Sequence, residues 1–255
     1  MPWYIDADGN LNIDEVGVSN ETELENAING ATDDKPRVIT VTSNFDTIKR
    51  FVIPYEKNIT IKDDGTRRTL TCKEVSGGHN HFEVQSGGKL TFRGEITLKG
   101  SSFSHGQSQY GLFVNPNGTA EIADNVIITG FINRNSAAVY TKGTLIMSGG
   151  TIKDNNAQYG GGVCIGDWAF FKMTGGTIQN NTAEKGGGVY MGNGTIFEMT
   201  GGTITSNTAT TNGKAVWVNG AFKWKGGTIT GNNGTGAAVH IHGGSCSPKP
   251  ATDAS

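Results

Sequence analysis

The chain carries almost no net charge, few prolines and no long apolar run. Lys and Arg number 21 and Asp and Glu 23, a formal charge of −2 at pH 7. That balance excludes a basic face built to grip nucleic acid phosphates, and equally a polybasic membrane-surface reader. No run approaches the roughly 20 apolar residues with which a helix crosses a bilayer, so no membrane insertion is expected. The three cysteines, Cys72, Cys164 and Cys246, stand far apart without a CxxC pair, which indicates neither a zinc ribbon nor a redox motif. Their odd number argues against a complete disulfide framework. Six prolines and no glycine at every third position exclude collagen. The opening MPWYIDADGN lacks the basic-then-apolar order of a signal peptide. Charged residues make up 17%, too few for a typical disordered chain. Hydrophobic residues make up 35%, fewer than in an ordinary globular domain. A thick apolar core is therefore not what holds the chain together.

What is abundant is glycine, 39 of 255 residues, about twice the usual 7%. It recurs with a period. The tetrad GGTI begins at Gly149, Gly175, Gly201 and Gly226, at spacings of 26, 26 and 25 residues. Looser copies precede it at Gly87 and Gly118. Within each period apolar and polar residues alternate, as in Phe197-Glu198-Met199, Thr203-Ile204-Thr205 and Val189-Tyr190-Met191. Period two means strands. Three short strands in about 25 residues, joined by Gly and Asn turns, predict an all-β solenoid, a three-sided parallel β-helix of about eight rungs. Asn155, Asn181, Asn207 and Asn232 share one turn position and predict a side-chain amide ladder.

Open ends of such a stack are edge strands and need blunting. Thr22-Glu23-Leu24-Glu25 reads as a capping box, with Leu24, Ala27 and Ile28 on one face, so a cap helix is expected over 19–29. The first rung should begin at Arg37. Residues 1–18 read as a leader or a hairpin, Trp3-Tyr4-Ile5 turning at Asp8-Gly9 into Leu11-Asn12-Ile13. The same segment fails as an EF-hand loop, because Tyr4 falls where the first Asp ligand is required. The β-helix is expected over 19–244. Residues 245–255 lack periodicity and read as a linker tail, with further domains of the parent protein expected beyond it.

The series GGTITSNTA and GGGVYMGNGTIFEMTGGTI resembles the glycine-rich repeats of right-handed parallel β-helix domains of the pectate-lyase-like superfamily. Such domains occur in bacterial secreted and cell-surface adhesin-like proteins. The resemblance covers about residues 19–244 and implies a single-stranded right-handed β-helix and an extracellular or cell-surface location. It says little about function, because the same scaffold carries lyases, glycosidases and adhesins.

Enzymes on this scaffold need clustered ionisable groups on one face. The outward columns Ile146-Lys172-Glu198-Lys223 and Lys153-Gln179-Thr205-Thr230 bring no two carboxylates together at glycosidase separation. No catalytic residue, metal ligand or cofactor is assigned from the sequence. His79, His81 and His105 fall in less regular rungs, where the expectation is surface turn histidines. The alternative is a carbohydrate-active enzyme, a polysaccharide lyase or glycoside hydrolase, with its site between His79 and Gln109. One further column stands out: Glu83, Phe113, Tyr140, Cys164, Tyr190, Trp217 and His240, each preceded by an apolar residue. Alternation places this column outward, with its rings facing solvent about 4.8 Å apart. Phe113, Tyr140, Tyr190, Trp217 and His240 are the candidate ligand-binding residues. Such a row can stack on the apolar faces of a glycan or anchor a host or cell-surface protein. It can also serve only to stabilise the sheet as cross-rung pairs. The leading expectation is a non-catalytic module that presents a rigid face for adhesion or glycan binding, with a structural spacer as a further reading.

Overall fold

The computed structural model describes all residues except 1–3, 6–10, 13, 33–34, 74–79, 102–109, 134, 136 and 249–255. The described residues form an all-β parallel solenoid of about eight turns with one short helix. Three main faces follow one another in order in each turn. The first face has ten strands, from Asp14–Val18 to Ser245–Ser247. The second has eight, from Phe45–Thr47 to Thr228–Thr230. The third also has eight, from Phe51–Ile53 to Val239–Ile241. All of their pairings are parallel, and the repeats align residue for residue, as in Leu145↔Phe171↔Phe197↔Phe222.

The register explains the sparse composition. Each strand sends every second residue inward, so a rung needs only a handful of apolar side chains. Phe171, Phe197 and Phe222 stack inside the first face with ring centroids 4.6 and 4.7 Å apart. Ile152, Ile178 and Ile204 line the second face and are fully buried. Between the second and third faces the amide ladder forms as expected. Asn155 Nδ2 donates to Asn181 Oδ1 at 2.9 Å, Asn181 to Asn207 at 3.0 Å, and Asn207 to Asn232 at 3.0 Å. At the corner between the first and second faces, the second glycine of each GG pair takes a left-handed φ. Gly150, Gly176, Gly202 and Gly227 lie between 71° and 84°, a region that costs glycine little.

The later turns are not three-sided. A ribbon of five short strands, Ile132–Asn133 to Asn233–Gly234, intervenes between the second and third faces. Residues after each ladder asparagine, such as Thr182-Ala183, were expected to turn. They pair with the next rung instead, Thr182 with Thr208 and Ala183 with Ala209, and Ala183 and Ala209 are buried. The stack also extends beyond the predicted limits. Asp14–Val18 already pairs with Arg37–Val41, and Ser245–Ser247 pairs with Ala221–Lys223 past residue 244.

The helix spans Glu21–Asn29 and buries Leu24, Ala27 and Ile28. Its cap lies two residues earlier than expected. Asn20 Oδ1 accepts from Glu23 N at 3.0 Å, and Glu23 Oε2 accepts from Ser19 N at 2.7 Å. Asn20 is thus the N-cap, and the Glu23 carboxylate reaches back one residue further than in a capping box, to Ser19 instead of the N-cap N–H. Arg37 clamps the helix to the stack, donating from Nη1 to Ala27 O and from Nε to Asp14 Oδ2. Nearer the N-terminus, Tyr4 and Ile5 pair antiparallel with Asn12 and Leu11; the turn at Asp8-Gly9 lies outside the described residues.

Candidate ligand-binding site

The outward column of the third face has the predicted register. Phe113 aligns with Glu83 and Tyr140, and Cys164 with Tyr140 and Tyr190. Trp217 aligns with Tyr190 and His240. The expectation of a uniformly solvent-facing row is corrected at Trp217, which is only 5% exposed. Its neighbours cover it. Tyr190 stacks on it at 6.3 Å, the His240 and His242 rings lie at 4.5 and 4.8 Å, and Lys185 Nζ sits 5.0 Å from its centroid. Phe113, Tyr140, Tyr190 and His240 are half-buried. Burial, with His242 beside it, lowers the His240 pKa below the usual imidazole value.

The row is split in two. Tyr110, Phe113 and Tyr140 form one cluster, with centroids 5.3 to 5.5 Å apart. Tyr159, Tyr190, Trp217, His240 and His242 form the other. Cys164 lies between them. A notch of about 530 Å³ opens over it, lined by Tyr110 and Tyr140 on one side and Tyr159 and Tyr190 on the other. Lys142, Asp167, Asn135, Asn193 and Asn219 complete the lining. Strands that are two rungs apart are separated by about 9.6 Å. One layer of ligand atoms in van der Waals contact with an aromatic face on each side needs about 7–8 Å. Rung spacing therefore places the missing ring of the column at Cys164, and the Tyr140 ring leans towards that rung, lying against Gly166.

The notch is polar at its rim and neutral in its walls. Burial pushes the Tyr140 phenol up to about 12, with Cys164, Tyr110 and Asp167 adding to the effect. Burial raises Tyr190 too, helped by Cys164, Tyr159 and Asp167. Both remain protonated near neutrality and can donate or accept hydrogen bonds. Asp167 Oδ1 accepts from Asn193 N at 2.8 Å, and Asn219 Nδ2 donates to Asn193 Oδ1 at 2.7 Å. Among the described residues lining the notch, Asp167 is the one carboxylate. No group of three or more His, Cys, Asp and Glu residues that could hold a metal occurs among the described residues.

The structure changes the meaning of several predicted residues. Cys164 reads in sequence as a break in an aromatic row, and in space it is the floor of the notch. Glu83, the other break, is engaged by Arg50, Asn80 and Asn115. His81 is not a surface turn histidine: it is fully buried, 4.8 Å from the Phe82 ring and 6.1 Å from that of Phe51. His79 and His105 lie outside the described residues. Tyr110, Tyr159, Lys142 and Asp167 escape a reading by strand columns because they sit in turns, and their signal is turn length. The turn after Val139–Thr141 has two residues, Lys142 and Gly143, whereas the turn after Val163–Ile165 has four. Comparison with protein-family models, with curated proteins and with solved structures finds no match for this chain.

Proposed function

We propose that this chain is a non-catalytic binding module of a bacterial secreted or surface protein, on a right-handed helix of the pectate-lyase-like kind. Its third face holds a glycan ring in the Cys164 notch. The observation that carries the reading is the open notch at Cys164, lined by Tyr110, Tyr140, Tyr159 and Tyr190. Sugar rings have apolar C–H faces and hydroxyl edges. Phenol rings bordered by Asn135, Asn193 and Asn219 suit both. Rigid backbone pairing across the notch adds to this, since the walls need no ordering on binding. The lone carboxylate favours binding over cleavage, because hydrolysis by the usual route takes two. Raised tyrosine pKa values are the reverse of what a phenolate base requires. Trp217 acts behind the site by holding Tyr190 in place. The adhesive role and the extracellular or cell-surface location rest on the repeat resemblance.

The test is a polysaccharide panel scored for binding and chain cleavage together, using the protein and Tyr190→Ala. Binding without cleavage, lost in Tyr190→Ala, is the expected result. Cleavage would replace this reading with a carbohydrate-active enzyme, and silence in both assays would favour a spacer.

A further inference from the structure

Trp168 is the most exposed large hydrophobic residue among those described, at 83%. It occupies the third position of the four-residue turn from the third face to the first. The same turn position holds Glu56, Gly87, Asn117 and Gly194 in other rungs, all left-handed, with φ between 61° and 76°. Trp168 shares that conformation at φ 66°. Glycine and asparagine tolerate this region, and a bulky residue there is uncommon. Such outliers concentrate at ligand sites.

Its surroundings present the indole rather than bury it. A Cβ built on Gly194 would lie 2.4 Å from Trp168 Cε3, so the bare glycine of the next rung lets the indole lie over it. On the other side the turn of the preceding rung is two residues shorter, and nothing there rises to cover the ring. Trp168 follows Asp167 directly, and its backbone N–H donates to Asn193 O at 3.0 Å. Both Asp167 and Asn193 line the notch.

We infer that Trp168 is a second stacking platform beside the notch, so that the ligand is a neutral oligosaccharide of at least two rings running from the notch over this corner. The inference rests on the notch reading above. Neutrality follows from the charges: among the residues lining the notch, Lys142 and Asp167 are the charged ones, of opposite sign. A uronate chain would meet Asp167 without a surplus cation to offset it.

The probes are glucose, mannose, galactose and N-acetylglucosamine oligomers of one to four rings, with galacturonate oligomers of the same lengths. Binding is followed by NMR and by tryptophan fluorescence. The variant is Trp168→Asn, which gives the left-handed position the residue that Asn117 already places there. Its melting temperature should stay within about 2 °C of the parent, as for a surface substitution. The parent should bind a neutral trimer at least tenfold more tightly than the monomer, with a blue shift in emission. Trp168→Asn should flatten that rise below threefold, abolish the shift and leave the monomer affinity unchanged. An unchanged chain-length rise in Trp168→Asn overturns the inference and leaves the notch standing. Preference for galacturonate over the neutral chains overturns it as well. No binding of any probe by the parent overturns the notch reading and this inference together.

Discussion

Restoring a ring at position 164 tests the site and the scaffold at once. Cys164 is paired in register with Tyr140 and Tyr190, and the other rungs from Phe113 to His240 carry a ring at this position. Cys164→Tyr would place a phenol between two aromatic clusters whose internal pairs lie 4.5 to 6.4 Å apart. Each aromatic pair contributes about 0.5–1.5 kcal/mol beyond area burial, so two new pairs give about 1–3 kcal/mol. Ordering the added side chain costs about 1 kcal/mol. The net gain is about 0–2 kcal/mol, a rise in melting temperature of up to about 8 °C for a chain of this size. The same ring occupies the floor of the notch between Tyr140 and Tyr190, so glycan binding should fall at least a hundredfold. Cys164→Ala leaves the notch open and should bind within threefold of the parent. Thermal unfolding and titration with the tightest-binding glycan read both quantities. A lower melting temperature in Cys164→Tyr would refute the ladder argument, because the gap would then not accept a ring. A stabilised variant that still binds would refute the placement of the site.

The amide ladder predicts a gradient in stability. Asn181→Ala strips a buried ladder member and leaves the Asn155 N–H and the Ile152 carbonyl without the partners they now have. At about 1–3 kcal/mol for each buried unsatisfied group, the loss should be about 2–6 kcal/mol by denaturant unfolding, against about 1 kcal/mol for Asn232→Ala at the half-exposed end. Alkaline pH supplies another test. The Tyr140 phenol has its pKa raised from 10.0 to about 12, so the folded state disfavours phenolate relative to the unfolded chain. The resulting stability is complete below pH 10 and is lost as pH rises from 10 towards 12. Tyr140→Phe should flatten that limb of the stability profile, and an unchanged limb would contradict the burial of this phenol.

The repeat made most of the fold legible. Period-two alternation in Val189-Tyr190-Met191 and the spacing of the GGTI tetrads define strand, face and register together, because a one-residue slip would turn Tyr190 inward and Val189 out. The asparagine column was legible for the same reason. The fourth ribbon was not, since Thr182-Ala183 is too short to show alternation. The helix cap was misplaced by two residues because Asn20, Thr22 and Glu23 allow two overlapping capping patterns, and only the path of the chain chooses. Exposure was the least legible property. Alternation says that Trp217 points outward; it does not say that His240, His242 and Lys185 close over it.

A parallel solenoid makes its surface by repetition, so its sites arise where repetition fails. Backbone pairing fixes every rung at the same spacing, and no strand can bend away to open a cleft. Two devices remain. One is a smaller residue in a column of large ones, which removes a ring and leaves its volume vacant, as at Cys164. The other is a change in turn length, which exposes whatever the longer turn carries, as the two-residue turn at Lys142-Gly143 does for Trp168. Both occur within one rung of each other here. A second two-residue turn, Asn219-Gly220, lies two rungs beyond Cys164, and the column breaks again at Glu83. The Cys164 rung combines a vacated ring with an exposed one, Trp168 holding the left-handed conformation that Glu56, Gly87, Asn117 and Gly194 also take, so it is the rung at which both devices can be tested together.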